Sequence, residues 1–305
     1  MPTILNWRGE LLQNSATPIL AATNRGYRLG ESVFETIRVY NGQPFALKAH
    51  LRRLSRGCEL LNWQLPADLI QIEEFISESI AASAEASASL RLTVTAADVA
   101  PSTDLSIFVA PLGAGIGASH YPAAAYREGI VTKILKTPRP PASCWPMDAK
   151  FGSYLGSLWA RNELKEGLPA NHESGLKKAD IVSRDLIEGI QLSVEGNIAS
   201  GTVSNIFLVT ANNELITPPL AAGALAGVIR ETVLGYAAKQ GIRAFERLVQ
   251  IKDLSTATEL FFTNSLMELL PVREILGQVK FAEAPGPVTR QLHNCYLEEV
   301  AALLV

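Results

Sequence analysis

Cysteine is scarce and unpatterned in this chain. Cys58, Cys144 and Cys295 are odd in number and widely separated, which excludes a disulfide framework and a clustered metal motif. They read as free thiols of a reducing compartment. Positive charge is not in excess either: the formal net charge is −3, which removes the electrostatic case for binding nucleic acid or an anionic membrane. Long apolar runs are missing, and nothing approaches the roughly 18 uninterrupted apolar residues of a membrane span. The opening residues MPTILNWRGE lack the basic start and apolar stretch of a secretion signal, so a cytoplasmic protein is expected. The histidines His50, His120, His172 and His293 have no partners at ligand spacing, and no metal site is expected. The run GAGIG at 113–117 lacks the strand–helix context of a dinucleotide fingerprint and reads as linker.

What is present is an ordinary globular composition, 48% hydrophobic and 19% charged, in a length sufficient for one large or two medium domains. Alternating and β-branched runs predict strands near 3–7, 9–12, 32–40, 44–46, 90–96 and 104–110. Leu51, Leu54, Cys58 and Leu61 share a helical face over 47–62, and a second helix is predicted over 67–83. Residues 112–128 are rich in Gly, Ala and Pro, so a linker is placed at 121–128, between a first domain of 1–120 and a second of 129–305. The second part opens with a strand near 130–136. The prolines of PRPPASCWP at 138–146 then forbid regular structure. Further strands are predicted at 190–194, 197–199, 204–210, 214–217, 243–249, 259–263 and 272–276, with a hairpin turning at Glu195-Gly196. Helices are predicted at 153–166, 226–240 and 286–304, the last beginning near Pro287. The fold class is α/β (α+β), in two domains with much antiparallel sheet.

Seven short motifs follow in one order: Arg25-Gly26, FETIR at 34–38, HLRRL at 50–54, AKFGSYL at 149–155, SNIF at 204–207, GVIR at 227–230 and TNSLMELLPV at 263–272. Together, over about residues 20 to 275, they resemble the fold-type IV pyridoxal-phosphate enzymes. That family includes branched-chain aminotransferases, D-amino acid aminotransferases and 4-amino-4-deoxychorismate lyases. The resemblance implies a smaller N-terminal α/β domain, a larger barrel-like C-terminal domain carrying the catalytic lysine, pyridoxal 5'-phosphate between them, and a homodimer. Such a site needs an amine for the cofactor's aldehyde, an anion cradle, a partner for the pyridine nitrogen and groups facing the substrate. By resemblance Lys150 is the amine, Tyr154 lies near the phenolic oxygen, and Arg53 grips the phosphate. Val228 and Ile229, at a helix start, offer backbone N–H groups to the same anion, and Ser265 offers a hydroxyl.

The pattern is broken at the pyridine nitrogen. In ASGTVSNIF, Ser200 stands where family members usually carry glutamate. A hydroxyl only hydrogen-bonds the ring nitrogen and leaves it largely neutral, which weakens carbanion stabilisation. Transamination depends on that stabilisation more than does an elimination driven by aromatisation. Thr36 and the run Asn264-Ser265-Leu266-Met267 are similar to residues typical of the lyases, with Thr36 assisting proton transfer and Asn264 facing the substrate. Ala96-Ala97 replaces an Arg-Gly pair common to many lyases and D-amino acid aminotransferases of the family, whose arginine binds substrate carboxylate in the D-amino acid enzymes; its absence leaves Arg38, Arg91 or Arg28 for that task. The reading placed first is a lyase that eliminates pyruvate from 4-amino-4-deoxychorismate to give p-aminobenzoate for folate synthesis. The alternatives are a class IV, branched-chain-like amino acid aminotransferase and a cofactor-binding protein without turnover.

Overall fold

In the strand over 32–40 every second side chain is buried: Val33, Glu35, Ile37 and Val39. Three of these are the β-branched residues that suit a pleated, half-buried surface. The fourth is a carboxylate. The computed structural model describes residues 4–12, 19–97, 102–112, 121–165 and 186–304. His120, His172 and GAGIG at 113–117 lie outside the described residues. The chain divides into two compact units, Met1–His120 with Asp148–Tyr154 and Glu299–Val305, and Tyr121–Met147 with Leu155–Glu298.

The first unit is built on a six-stranded sheet. Its strands are β1 (Ile4–Trp7), β2 (Glu10–Leu12), β3 (Ser32–Tyr40), β4 (Gln43–Pro44), β5 (Ser87–Ala96) and β6 (Thr103–Pro111), in the order β2-β1-β6-β5-β3-β4. All the pairings are antiparallel. Its helices are α1 (Arg25–Leu29), α2 (Leu47–Leu60) and α3 (Leu69–Ser83). One face of the sheet, with Ile37, Leu90, Leu92, Ile107 and Val109, packs on Leu51, Leu54 and Cys58 of α2 and on Ile72, Ile76 and Ile80 of α3. Each such large side chain contributes on the order of 2 kcal/mol by leaving water. The register places Glu35 beside Leu92, and Leu92 beside Ile107, so the carboxylate interrupts an otherwise apolar row. A full capping box starts α3: the Asp68 carboxylate accepts from Gln71 N at 2.9 Å, and the Gln71 side chain accepts from Asp68 N.

In the second unit a sheet runs in the order β12-β11-β10-β13-β14-β15, with β7 pairing parallel to β14. These strands are β7 (Ile130–Thr132), β10 (Asn205–Thr210), β11 (Leu215–Thr217), β12 (Ala244–Glu246), β13 (Ala257–Asn264), β14 (Glu268–Ile275) and β15 (Val279–Lys280). A separate antiparallel ribbon joins β8 (Ile190–Leu192) to β9 (Ile198–Gly201), and Gly196 in its turn has φ of 85°. The helices are α4 (Ala123–Glu128), α5 (Leu155–Lys165), α6 (Val228–Lys239) and α7 (Pro287–Ala302). The N-terminus of α7 is capped by buried Glu259, which accepts from Val288 N at 2.9 Å and Thr289 N at 2.8 Å. Among the described residues no helix is long and apolar enough to cross a membrane.

Two features differ from the domain boundaries expected from sequence. The stretch 121–128, read as linker, holds helix α4, and Ala125 within it and Tyr121 just before its N-cap join the second unit's core. The run 148–154, read as part of the second domain, belongs to the first unit because its backbone pairs with β3.

Replacing the α3 cap, Asp68→Ala, is expected to lower stability by about 1 kcal/mol. Urea unfolding followed by far-UV circular dichroism measures this, with an unchanged transition slope.

Candidate active site

The segment carrying Lys150 is stitched along the edge of β3. Lys150 O accepts from Phe34 N at 2.9 Å, Gly152 N donates to Ser32 O at 2.7 Å, and Phe151 bridges Val33. A Cβ on Gly152 would lie 1.7 Å from Ser32 Oγ, so this close approach needs glycine. The Lys150 side chain is half-buried, with Nζ 4.4 Å from the centroid of the Phe34 ring and 5.9 Å from that of Tyr154. The two rings meet edge to face, with centroids 5.2 Å apart. Burial and the Arg53 charge push the Lys150 ammonium down from 10.5 to about 7, with Arg91 adding to the effect and Glu35 opposing it. At neutral pH a large share of this amine is unprotonated and nucleophilic.

Arg53 lies on α2 and forks onto Glu35. Its Nε donates to Oε1 at 2.7 Å and Nη2 donates to Oε2 at 2.6 Å. His50, one helical turn earlier, holds Nδ1 2.6 Å from the same Oε2. An ionised carboxylate only accepts, so Nδ1 carries the proton. Burial alone would raise the Glu35 pKa, but the Arg53 charge and fork, with the His50 hydrogen bond, bring it down from 4.5 to about 2. The pKa of His50 is lowered, first by burial and then by the Arg53 and Lys150 charges, against the opposing hydrogen bond and charge of Glu35.

On the opposite face of β3, Thr36 is half-buried and stands beside Arg91 in register. The Arg91 guanidinium lies 3.7 Å from the Phe34 ring centroid, a cation–π stack, and Arg91 is exposed. Among the described residues it has no carboxylate partner. Arg38 lies farther along β3, over the Tyr40 ring and 3.3 Å from Ser87 Oγ. Arg28 is exposed in the last turn of α1. The first unit therefore brings together Lys150, Tyr154, Phe34, Thr36, Arg91, Arg53 and Glu35, and leaves Arg38 and Arg28 aside.

The second unit ties three of the motifs into one network. Ser200 is buried in β9, its Oγ donating to Gly201 O at 2.8 Å. Thr202, Val203 and Ser204 wrap around buried Glu188, which accepts from Thr202 N at 2.8 Å, Ser204 Oγ at 3.0 Å, Val203 N at 3.3 Å and the Thr202 hydroxyl. Asn264 accepts from Leu266 N and Met267 N and donates to Val203 O at 3.2 Å, so its amide serves the turn. Leu266 and Met267 are buried, and Ser265 is half-buried in the same turn. Asn205 donates to Leu225 O at 2.8 Å, and its Oδ1 lies 2.0 Å from where a Gly227 Cβ would be. Gly227 is the N-cap of α6 and supplies no side-chain acceptor, which leaves the first-turn N–H groups, Val228 and Ile229 among them, as an anion seat. Arg230 is buried against Glu246 at 2.6 Å and Pro218 O, a structural pairing.

Each unit thus fits a part of pyridoxal phosphate: a desolvated amine between aromatic rings in one, an uncapped helix start in the other. Sequence reasoning passed over Glu35 and Glu188. The available signal was an acidic residue inside an apolar run, VFETIRV for one and LIEGIQL for the other.

Comparison with known proteins agrees with this geometry. The family model described as amino-transferase class IV matches residues 32–168 and 170–275. A probable branched-chain-amino-acid aminotransferase of Thermotoga maritima is 30% identical over 262 residues, covering 86% of this chain and 83% of that protein. The Escherichia coli branched-chain amino acid aminotransferase structure superposes with a TM-score of 0.81 at 26% identity, covering 98% of this chain and 94% of the other. The 4-amino-4-deoxychorismate lyase structure from Pseudomonas aeruginosa gives 0.76 at 25% identity, with coverage of 97% and 98%.

Competitive acetylation read by mass spectrometry on the cofactor-free full chain is expected to give Lys150 a midpoint near pH 7, against roughly 10.4 for ordinary lysines. A midpoint for Lys150 among those of the other lysines would remove the case for its desolvation.

Proposed function

The chain belongs to the class IV aminotransferases, fold-type IV enzymes that use pyridoxal phosphate, and from this premise we propose that it is an amino acid aminotransferase acting on branched-chain or similar apolar amino acids. The observation that carries the reading is Lys150, fixed along the edge of β3 with its amine beside the Phe34 and Tyr154 rings. The substrate preference rests on the branched-chain aminotransferases among its relatives.

When bound, pyridoxal phosphate supplies an electron-withdrawing ring that accepts charge from the substrate's α-carbon. Lys150 would hold the cofactor's aldehyde through its amine and would move the proton at the substrate's α-carbon, as general base and then as general acid. A pKa near the working pH suits both steps. Phe34 and Tyr154 hold the amine in place and keep water from it. Arg53, the Val228 and Ile229 N–H groups and the Ser265 hydroxyl bind the phosphate. Ser200, whose hydroxyl donates to Gly201 O, would stand at the pyridine nitrogen in place of the usual acid and could leave it only a lone pair. Arg91, a guanidinium without a carboxylate partner among the described residues, would receive a substrate carboxylate, with Arg38 and Arg28 as the other candidates. The homodimer implied by the resemblance goes with this reading.

One observation favours a second reading, a lyase acting on 4-amino-4-deoxychorismate. Ser200 is a buried hydroxyl at the position where the family usually has an acid, and Thr36 shares a sheet face with Phe34 and Arg91. The lyase neighbour is among the solved structures similar to this chain.

The visible spectrum of the purified protein, followed by addition of substrates, separates these readings. A cofactor band absent from Lys150→Ala, converted to the amine form by leucine, valine or glutamate, is the expected result. Pyruvate and p-aminobenzoate from aminodeoxychorismate, without amino acid conversion, would replace the first reading with the second. A band that no amine alters would point to a protein without turnover. Arg91→Leu is expected to raise KM for a dicarboxylic amino acid by tenfold or more, since a charged hydrogen bond contributes about 1.5–3 kcal/mol. Steady-state kinetics with glutamate against leucine would show it; equal loss on both substrates would assign Arg91 to the α-carboxylate that both carry, and no loss on either would remove it from carboxylate recognition.

A further inference from the structure

We propose that Glu35 is a positioning residue of this active site: by gripping Arg53 from within the core it fixes the guanidinium's plane and supplies the negative charge that balances two guanidinium groups around Lys150. The inference deepens the reading above and rests on it where cofactor binding is concerned.

Glu35 sits on the helix-facing side of β3, in a row otherwise filled by Val33, Ile37 and Val39. A carboxylate there is expensive unless every lone pair finds a partner. Three donors reach it: Arg53 through Nε and Nη2, and His50 through Nδ1, all at 2.6–2.7 Å. Side-on engagement of Nε and Nη2 holds the planar guanidinium in one orientation, which a single contact does not do. His50 is fully buried and presses on the same oxygen as Nη2, so the carboxylate is fixed in turn.

The second half of the argument is charge. Among the described residues, the groups acting on Lys150 are Arg53 and His50 from α2, Glu35 from β3 and Arg91 from β5, with the Tyr154 ring from its own segment. Glu35 is the only carboxylate in that set. Without it, two guanidinium groups would act on the amine unopposed. A residue that merely filled the core would leave the lysine's titration unmoved; a charge-setting residue moves it in a known direction.

The test compares Glu35→Gln, Glu35→Asp and the double variant Glu35→Gln/Arg53→Gln in the full-length chain, each checked for folding by circular dichroism. Competitive acetylation of the cofactor-free chain gives the Lys150 midpoint, and absorbance titration with pyridoxal phosphate gives Kd. Glu35→Gln is expected to lower the midpoint by about one pH unit, the size of a lost nearby charge, and to weaken Kd about tenfold or more. The double variant, losing one charge of each sign, is expected to return the midpoint toward wild type. Glu35→Asp keeps the charge but shortens the reach; its midpoint should stay near wild type while Kd weakens. A folded Glu35→Gln with unchanged midpoint and Kd overturns the proposal. Should that variant fail to fold, Glu35→Asp decides: an unchanged Kd overturns the positioning role, and a weakened Kd at constant midpoint upholds it. If the wild type binds no pyridoxal phosphate yet the midpoint still shifts, the functional reading fails while the electrostatic role of Glu35 stands.

Discussion

A carboxylate buried among aliphatic side chains is the constraint around which the first unit is arranged. Glu35 is tolerable there only because α2 presents His50 and Arg53 at helical spacing, three residues apart, toward the same point. That requirement sets the rotation of α2 over the sheet more narrowly than its leucines could, since leucine contacts are non-directional while the fork on Glu35 is not. The orientation of α2 then decides where Arg53 ends, and Arg53 helps to depress the pKa of Lys150. Fold and reactivity therefore share one ion pair.

The second unit repeats the device without an arginine. Glu188 collects backbone and hydroxyl donors from the turn after Ser200, and Glu259 closes the first turn of α7. In each case an acidic residue with little or no exposure substitutes for water at backbone groups that a loop would otherwise leave unpaired. Turns fixed in this way let the SNIF, GVIR and TNSLM motifs brace one another through Asn205 and Asn264, so their recurrence in order along the chain reflects one hydrogen-bonded assembly.

Much of this was legible in the sequence. The alternation in β3, the helical stripe Leu51-Leu54-Cys58 and the hairpin at Glu195-Gly196 depend on neighbouring residues, and the observed elements follow them. The family and its cofactor were readable from the order of the motifs. What was not legible depended on contacts distant in sequence. The stretch 121–128 looks like linker by composition, and only the core against Tyr121 and Ala125 makes it a helix. Asn264 looks like a polar residue available to substrate, and only the turn geometry shows its amide occupied. Glu35 lay inside a quoted motif without a role, because its partners become visible only when α2 is folded over the sheet. The preference for a lyase rested on single positions such as Thr36 and Ser200, whereas the relatives, compared over most of the chain, lean toward aminotransferases.

The pairing of the Lys150 segment with β3 has a consequence for the order in which reactivity arises. Residues 149–152 follow β3 at a long distance in the chain, and joining segments so distant in sequence is among the slow steps of folding. Until that edge is added, Lys150 is an ordinary solvated ammonium, protonated and inert toward aldehydes. The Lys150 amine is thus not activated while the chain is still open. The amine acquires its chemistry only when Phe34 and its neighbours close around it, so aldehydes in the cell first meet a nucleophilic lysine in a chain whose N-terminal sheet is already assembled.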